Sequence, residues 1–305
     1  MADKAREGLL YGIAAYVLWG VVPFYFAPLM RMDVRPEEIL THRVVWTLVF
    51  LLPIVSFAGR WRDVRACFQK ASVFGPLFVS AFLIAANWLV YILCVANEKI
   101  VHASLGYYLT PLVNVLLGRL FFRERLRLWQ SIAVALAAGG VAYLVFAADE
   151  FPWLGLTLAF SFGFYGLVRK QVPVDGLVGL SVETLLLAPI TFGFIIAWAF
   201  QGTLAFGTQS RSLDVLIALG GVVTAAPLLC FGQAARRLPL TTLGFLQFLA
   251  PSLQFVAAVT FFGEPFTRER AVSFLLIWSA VALFAFDSWR GHRQTHAELE
   301  PVTET

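Results

Sequence analysis

Long apolar stretches alternate with short polar ones along the whole chain, and that alternation predicts most of its structure. Ten mostly apolar runs stand out, at 9–29, 38–58, 73–96, 101–120, 129–147, 152–169, 177–200, 213–235, 239–262 and 271–289. Each is close to the roughly 20 residues that a helix needs to cross a hydrocarbon layer. The connections between them are short, the longest lying near 59–72 and 201–212. The polar stretch after Trp289 reads as a frayed tail. The pattern predicts an all-α integral membrane protein of ten transmembrane helices without a soluble domain. The first run is too long for the apolar core of a signal peptide and has no clear small-residue cleavage site, so it reads as the first span.

Composition agrees. The chain has 305 residues, 59% of them hydrophobic and 14% charged, with a mean hydropathy of +0.77. Soluble domains carry about 25% charged residues. Too little polar surface exists here to cover a globule in water, which excludes a disordered chain, a basic-faced nucleic-acid binder and a soluble enzyme of this size. Cys67, Cys94 and Cys230 are far apart in sequence and in no paired spacing, so they read as small packing residues. The sequence has no GxGxxG, Walker A, HExxH or GxSxG motif, and His102, His292 and His296 do not form a ligand cluster. We therefore expect no cofactor, no metal and no enzymatic activity.

The net charge of +4 matters less than where it sits. With the N-terminus in the cytoplasm, the inner connections hold 16 Lys and Arg and the outer ones 6, while Arg43 falls inside a span. The excess of inner positive charge predicts that both termini are cytoplasmic.

The chain also resembles itself. A shift of 140 residues pairs Ala85-Ala86 with Ala225-Ala226, Leu109 with Leu249, and Pro111 with Pro251. It also pairs Phe121-Phe122-x-Glu124 with Phe261-Phe262-x-Glu264, and Val141-Ala142 with Val281-Ala282. Between residues 85 and 146 there are 12 identities in 62 gapless positions, where roughly five would arise by chance in so apolar a composition. Two repeats are expected, 1–148 and 149–290, followed by a cytoplasmic tail at 291–305. Five spans per repeat is an odd number, so the second half is inverted relative to the first. Inverted repeats are a device of secondary transporters, which bind solute near the midplane.

Several segments carry a family resemblance. They are Gly12 to Pro23 (GIAAYVLWGVVP), Glu38 to Trp46 (EILTHRVVW), Asn87-Trp88 with Tyr91, and Ser104 to Asn114 (SLGYYLTPLVN). Glu124-Arg125-Leu126 and Glu183-Thr184-Leu185-Leu186 add to them. Through these the chain resembles the EamA-type permeases of the drug/metabolite transporter superfamily, in particular the RarD subfamily of bacterial inner-membrane proteins. The resemblance implies ten spans in two five-span repeats and transport of small organic metabolites or drugs, often outward.

The candidate functional residues are the polar and aromatic side chains within spans. Arg43 lies about one turn inside the second span, where it either holds an anionic substrate group or snorkels and pairs with Glu38. His42 beside it and Glu183 in the seventh span are candidates for proton coupling, Glu183 having a structural ion pair as its alternative. Asn87, Asn114, Gln247 and Gln254 either line a polar cavity or bond helices together; Asn114 and Gln254 coincide under the shift. Trp19, Trp88, Tyr91, Tyr107, Tyr108 and Tyr165 lie inside spans rather than at their ends, as packing residues or as the walls of a ligand site. Pro111 and Pro251 are equivalent in the two repeats and read as paired hinges. Gly139-Gly140 and Gly220-Gly221 read as close helix contacts.

The expected function is a secondary-active transporter, an exporter of a small organic metabolite, amino-acid-like solute or drug, working by alternating access. Its partners are a small-molecule substrate and the lipid bilayer, without nucleic acid, in a monomer or homodimer. The alternatives are a membrane-embedded lipid flippase or enzyme, and a channel or sensor.

Overall fold

The computed structural model describes residues 2–32, 34–96, 100–146, 151, 153–261 and 267–297. Lys99 and the Phe262 and Glu264 of the second Phe-Phe-x-Glu segment lie outside the described residues, as do the side chains of His102, His292 and His296. The described residues form helices and connections, with no strand among them. In chain order the helices are α1 (Ala2–Met30), α2 (Pro36–Phe57), α3 (Trp61–Gln69), α4 (Ala71–Ala96), α5 (Ile100–Phe122), α6 (Leu128–Phe146), α7 (Trp153–Gln171), α8 (Gly176–Phe200), α9 (Arg211–Arg237), α10 (Leu240–Gln247), α11 (Leu249–Thr260) and α12 (Arg268–Ala297).

Among the described residues, eight stretches are long and apolar enough to cross a membrane: α1, α2, α4, α6, α8, α9, α10 with α11, and α12. α5 and α7 are not among these eight. The surface suits lipid rather than water. Phe57, Phe146 and Phe200 are 88% exposed or more, a pattern that would leave a soluble protein with large apolar patches. The protein is a multi-pass membrane protein.

Three expectations are corrected. The ninth apolar run is two helices, interrupted at Phe248. Pro251 lacks the N–H that the Gln247 carbonyl would accept, and its ring crowds that carbonyl, so the helix breaks one turn earlier. The connection at 59–72 contains α3, an amphipathic helix lying on α4 and α8. Burial, and then the nearby Asp63 carboxylate, pushes the Cys67 thiol of α3 up from its ordinary value. Third, α12 continues into the expected tail as far as Ala297.

The polar connections gather at two ends. At one, Glu7 pairs with Arg237 at 3.3 Å, Arg127 with Asp287 at 3.7 Å and Arg60 with Asp175, while Lys170 donates to the Leu238 carbonyl. At the other, Arg35 donates to the Thr203 carbonyl at 3.0 Å, and the Glu38 carboxylate accepts from the Ala205 and Phe206 amides at 2.8 and 2.9 Å.

Glu124 holds the start of α10. Its two oxygens accept from the Leu240 and Thr241 amides at 2.8 and 2.9 Å, satisfying two donors that a helix N-terminus leaves free and lying at the positive end of its dipole. Gly118 makes room, since a Cβ there would meet Glu124 Oε2 at 2.7 Å. Glu124→Ala is expected to cost about 1–2 kcal/mol, read as a lower melting temperature in detergent, with Glu124→Gln recovering part of it.

The helices pack in a recurring pattern. α1 lies on α9 as α7 lies on α4; α2 lies on α9 as α8 lies on α4; α1 lies on α11 as α7 lies on α5. α2 also packs on α8, α6 on α12 and α5 on α10. The central core joins Tyr16, Trp88, Tyr165, Leu180 and Phe231 from α1, α4, α7, α8 and α9.

Candidate functional site

A cavity opens between α1, α2, α4, α5, α7, α9, α10 and α11, with an empty volume of about 950 Å3 including its mouth. Trp19, Arg43, Asn87, Trp88, Tyr91, Tyr107, Gln247, Pro251 and Gln254 all line it. Residues up to 235 positions apart in the chain meet there: Gln254 Nε2 donates to the Trp19 carbonyl at 2.9 Å.

Arg43 is the charged residue of this site. It is 9% exposed, its Nε donates to Thr224 Oγ1 at 2.9 Å, and its guanidinium lies 5.0 Å from the Trp88 ring centre and 5.5 Å from that of Phe26. Tyr91 and Tyr107 share the cavity lining with it, and Tyr25 stands beside it at Gly220. Among the described residues no carboxylate lies within ion-pair distance of Arg43. Glu38, the partner considered from sequence, is taken instead by the 201–210 connection and lies 3.9 Å from His42. Gly220 allows the approach of α9, because a Cβ there would meet Tyr25 Oη at 2.6 Å and Arg43 Cγ at 3.4 Å.

The rest of the lining is aromatic and amide. Tyr91 and Tyr107 rings are 5.9 Å apart, and Trp19 lies against Phe162 at 5.5 Å and Tyr16 at 5.6 Å. Asn87 Nδ2 donates to the Leu158 carbonyl and to Ser161 Oγ, both at 2.9 Å. Gln247 accepts from Asn114 Nδ2 at 2.9 Å, which bonds α5 to α10. A largely aromatic cavity with a few convergent polar groups and one charge is the usual form of a small-molecule site.

Other candidates stand elsewhere. Asn114 lies behind Gln247 rather than on the cavity wall. Tyr108 packs with Phe245 and Phe284 beside α6 and α12. Pro111 sits in the unbroken α5, its carbonyl so near α10 that a Cβ on Gly244 would meet it at 2.7 Å. His42 lies beside Phe206, ring centres 4.7 Å apart, and both its nitrogens are buried without a hydrogen-bond partner. Gly139 faces open space, whereas Gly140 touches α12 and Gly221 touches α2.

Glu183 belongs to a second polar cluster, sealed inside protein. Its Oε1 is 3.6 Å from Arg169 Nη1 and accepts from Ser80 Oγ at 2.5 Å, and its Oε2 accepts from Tyr165 Oη at 3.4 Å. Both Arg169 and Glu183 have side chains only 1% exposed. Arg169 had counted merely as inner-loop charge in the sequence, because it stands next to Lys170 at a span end. Tyr16, Tyr25, Phe26, Thr110, Phe162 and Thr224 were also missed, since little along an apolar run separates inward from lipid-facing positions. The recurrence of Phe-Tyr at 24–25 and 164–165 under the 140-residue shift was a signal for Tyr25, and Tyr165, an interior aromatic in the sequence, joins the Glu183 cluster.

Residues 6–146 match the EamA-like transporter family. Protein RarD of Escherichia coli strain K12 is 42% identical over 96% of this chain and 99% of its own length. An "Uncharacterized transporter" of Vibrio cholerae is 44% identical over 97% of each. The "Chloramphenicol-sensitive protein RarD" of Pseudomonas aeruginosa is 32% identical, covering 93% of this chain and 95% of its own. A solved crystal structure with 19% identity has a TM-score of 0.68 over 92% of this chain and 97% of that one, which is likeness of fold. Fold and relatives together define a membrane transporter of the drug/metabolite type. Within that class, the chain belongs to the EamA-type permeases, in their RarD subfamily.

Proposed function

We propose that this protein is a secondary-active transporter of a small organic solute, made of ten spanning helices in two inverted halves, 1–148 and 149–290. α5 and α7 complete the ten. It lies in the bacterial inner membrane with both termini cytoplasmic, and exports its solute, as the EamA resemblance implies. Arg43 and the aromatic walls around it bind that solute, and the two halves alternate access by exchanging conformations.

One observation carries this reading. Under the 140-residue shift Arg43 falls on Glu183, Tyr25 on Tyr165, Tyr91 on Phe231 and Gly220 on Ser80. Both quartets are assembled: the first around the guanidinium beside the cavity, the second around the buried carboxylate. The packing pairs α1·α9 and α7·α4, α2·α9 and α8·α4, and α1·α11 and α7·α5 exchange under the same shift. Tyr107 with Gln247, and Thr110 with Ala250, also coincide under it, and all four line the cavity. The cavity therefore reaches the axis relating the halves. With the termini inside, it opens outward, and the Glu183 cluster is its closed image on the inner side.

The test is flux in proteoliposomes across a metabolite and drug panel, with cysteine accessibility alongside. A gradient-driven flux is expected, and Arg43→Ala is expected to reduce it more than about tenfold, since a hydrogen bond from a charged group contributes about 1.5–3 kcal/mol. In a background without native cysteines, Val22→Cys is expected to react with an impermeant maleimide added outside intact cells, and Ser80→Cys to be protected there. No flux of any solute, or Ser80→Cys reacting from outside while Val22→Cys reacts from inside, would overturn the reading.

A further inference from the structure

The cavity has a charge that its walls do not cancel. Arg43 lines it, and among the described residues no Asp, Glu, Lys or His joins it in the lining. Nε of Arg43 is committed to Thr224, while its two Nη groups donate to no described residue. The Trp88 and Phe26 ring centres lie 5.0 and 5.5 Å from the guanidinium carbon, and the two Nη nitrogens remain for a ligand. That fork matches the two oxygens of a carboxylate.

The same chain shows how this bundle treats a guanidinium that has no ligand to meet. Arg169 is 1% exposed against 9% for Arg43, and it has Glu183 at 3.6 Å. A buried charge without a partner is costly, so leaving Arg43 uncompensated is useful where the missing anion arrives from outside. The amide groups nearby supply no charge: Asn87 Nδ2 and Gln254 Nε2 are already bonded to backbone carbonyls. An ammonium entering with the ligand would add a second positive charge to a cavity whose described lining holds no carboxylate.

We infer that the ligand of this cavity is a net anion, an organic carboxylate whose charged group sits on Arg43 and whose apolar or aromatic body lies among Trp19, Trp88 and Tyr107. Zwitterionic amino acids and neutral drugs are thereby disfavoured. This rests on the reading of the cavity as the substrate site and narrows it to one charge class.

The experiment is thermal unfolding of the detergent-solubilised protein at pH 7 with matched probes, since a ligand of the folded state raises its melting temperature by mass action. The probes are acetate, benzoate, 3-phenylpropionate and indole-3-acetate, the corresponding amides, and phenylalanine and tryptophan. At least one aromatic carboxylate is expected to raise the melting temperature, and its amide and the amino acids are not. Arg43→Gln is expected to abolish that shift and Trp88→Ala to reduce it. Without ligand, Arg43→Gln is expected to melt no lower than the wild type, because it removes an uncompensated buried charge. A ligand-free melting temperature several degrees lower would make Arg43 a structural residue and overturn the proposal, as would a panel in which no carboxylate stabilises the wild type. If amides or amino acids stabilise, lose their effect in Trp88→Ala and keep it in Arg43→Gln, the cavity stands as the site and the anion proposal falls. If a probe stabilises all three proteins equally, binding is elsewhere, and the site reading falls with the proposal.

Discussion

Arg169→Ala is expected to destabilise the protein by about 3–5 kcal/mol, the range for removing one partner of a buried ion pair. The change leaves the Glu183 carboxylate in a space that water does not reach, with Ser80 and Tyr165 as its remaining donors. The pair is held by shape as well as charge: a Cβ on Gly179 would stand 1.7 Å from Arg169 Nη1, so only glycine fits there. Arg169 Nε and Nη1 have no hydrogen-bond partner, so the cluster is not fully satisfied even when intact. That argues against reading the pair as a large net source of stability. Replacing both charges with apolar groups of similar volume, Arg169→Met with Glu183→Leu, is accordingly expected to cost much less than Arg169→Ala alone. Thermal unfolding of the single and double variants measures this as a coupling energy. Additive losses would mean that the two side chains do not act as a pair. If the inner side opens during transport, this pair has to separate, so the double variant is also expected to spend more time open to the cytoplasm.

Gly221→Leu is expected to prevent correct folding, with little monodisperse protein recovered from detergent. α2 and α9 cross here with their backbones in contact. A Cβ at 221 would lie 2.4 Å from the carbonyl carbon and oxygen of Trp46 and 2.8 Å from the Thr47 nitrogen. Those are backbone atoms, which cannot turn aside as a side chain does. The bond from Thr47 Oγ1 to the Gly221 carbonyl, at 3.3 Å, would be lost as the helices part. Overpacking a close contact by even one methyl costs typically about 1–3 kcal/mol, and leucine adds far more volume than that. Thr224, one turn along α9, carries the bond to Arg43, so separation at Gly221 also disturbs the cavity. Gly139→Ala is the control. A Cβ there meets nothing within 4 Å, and its effect is expected to stay within about 0.5 kcal/mol. Equal losses at the two sites would mean that the crossing does not set the cost.

The places of the apolar helices were legible because a membrane imposes one period and a similar length on every span. Thus the runs 9–29 and 73–96 read directly as helices and fall within α1 and α4. The break at Phe248 was harder to read: Pro251 announced a disturbance, as Pro111 did, yet only one of the two helices is interrupted. The surroundings decide whether a carbonyl without its donor is accommodated in place. The amphipathic α3 was passed over because its nine residues carry both charge and apolar groups and resemble an ordinary connection.

The amino-acid sequence by itself determined that this is a membrane bundle, which family it belongs to, and which rare polar residues sit within apolar surroundings. Those conclusions follow from local properties: hydropathy over twenty residues, the spacing of Lys and Arg, and motifs that need no knowledge of neighbours. Only the tertiary structure decided that Arg43 faces a cavity whose described lining has no carboxylate whereas Arg169 meets Glu183, and that Asn114 stands behind the wall that Gln247 forms. Such assignments depend on the rotation of each helix about its axis and on which helix lies opposite. In lipid, an apolar side chain serves equally well against a tail or a neighbour. The pattern along one helix is therefore nearly silent about which face turns inward, and contacts between distant segments settle it.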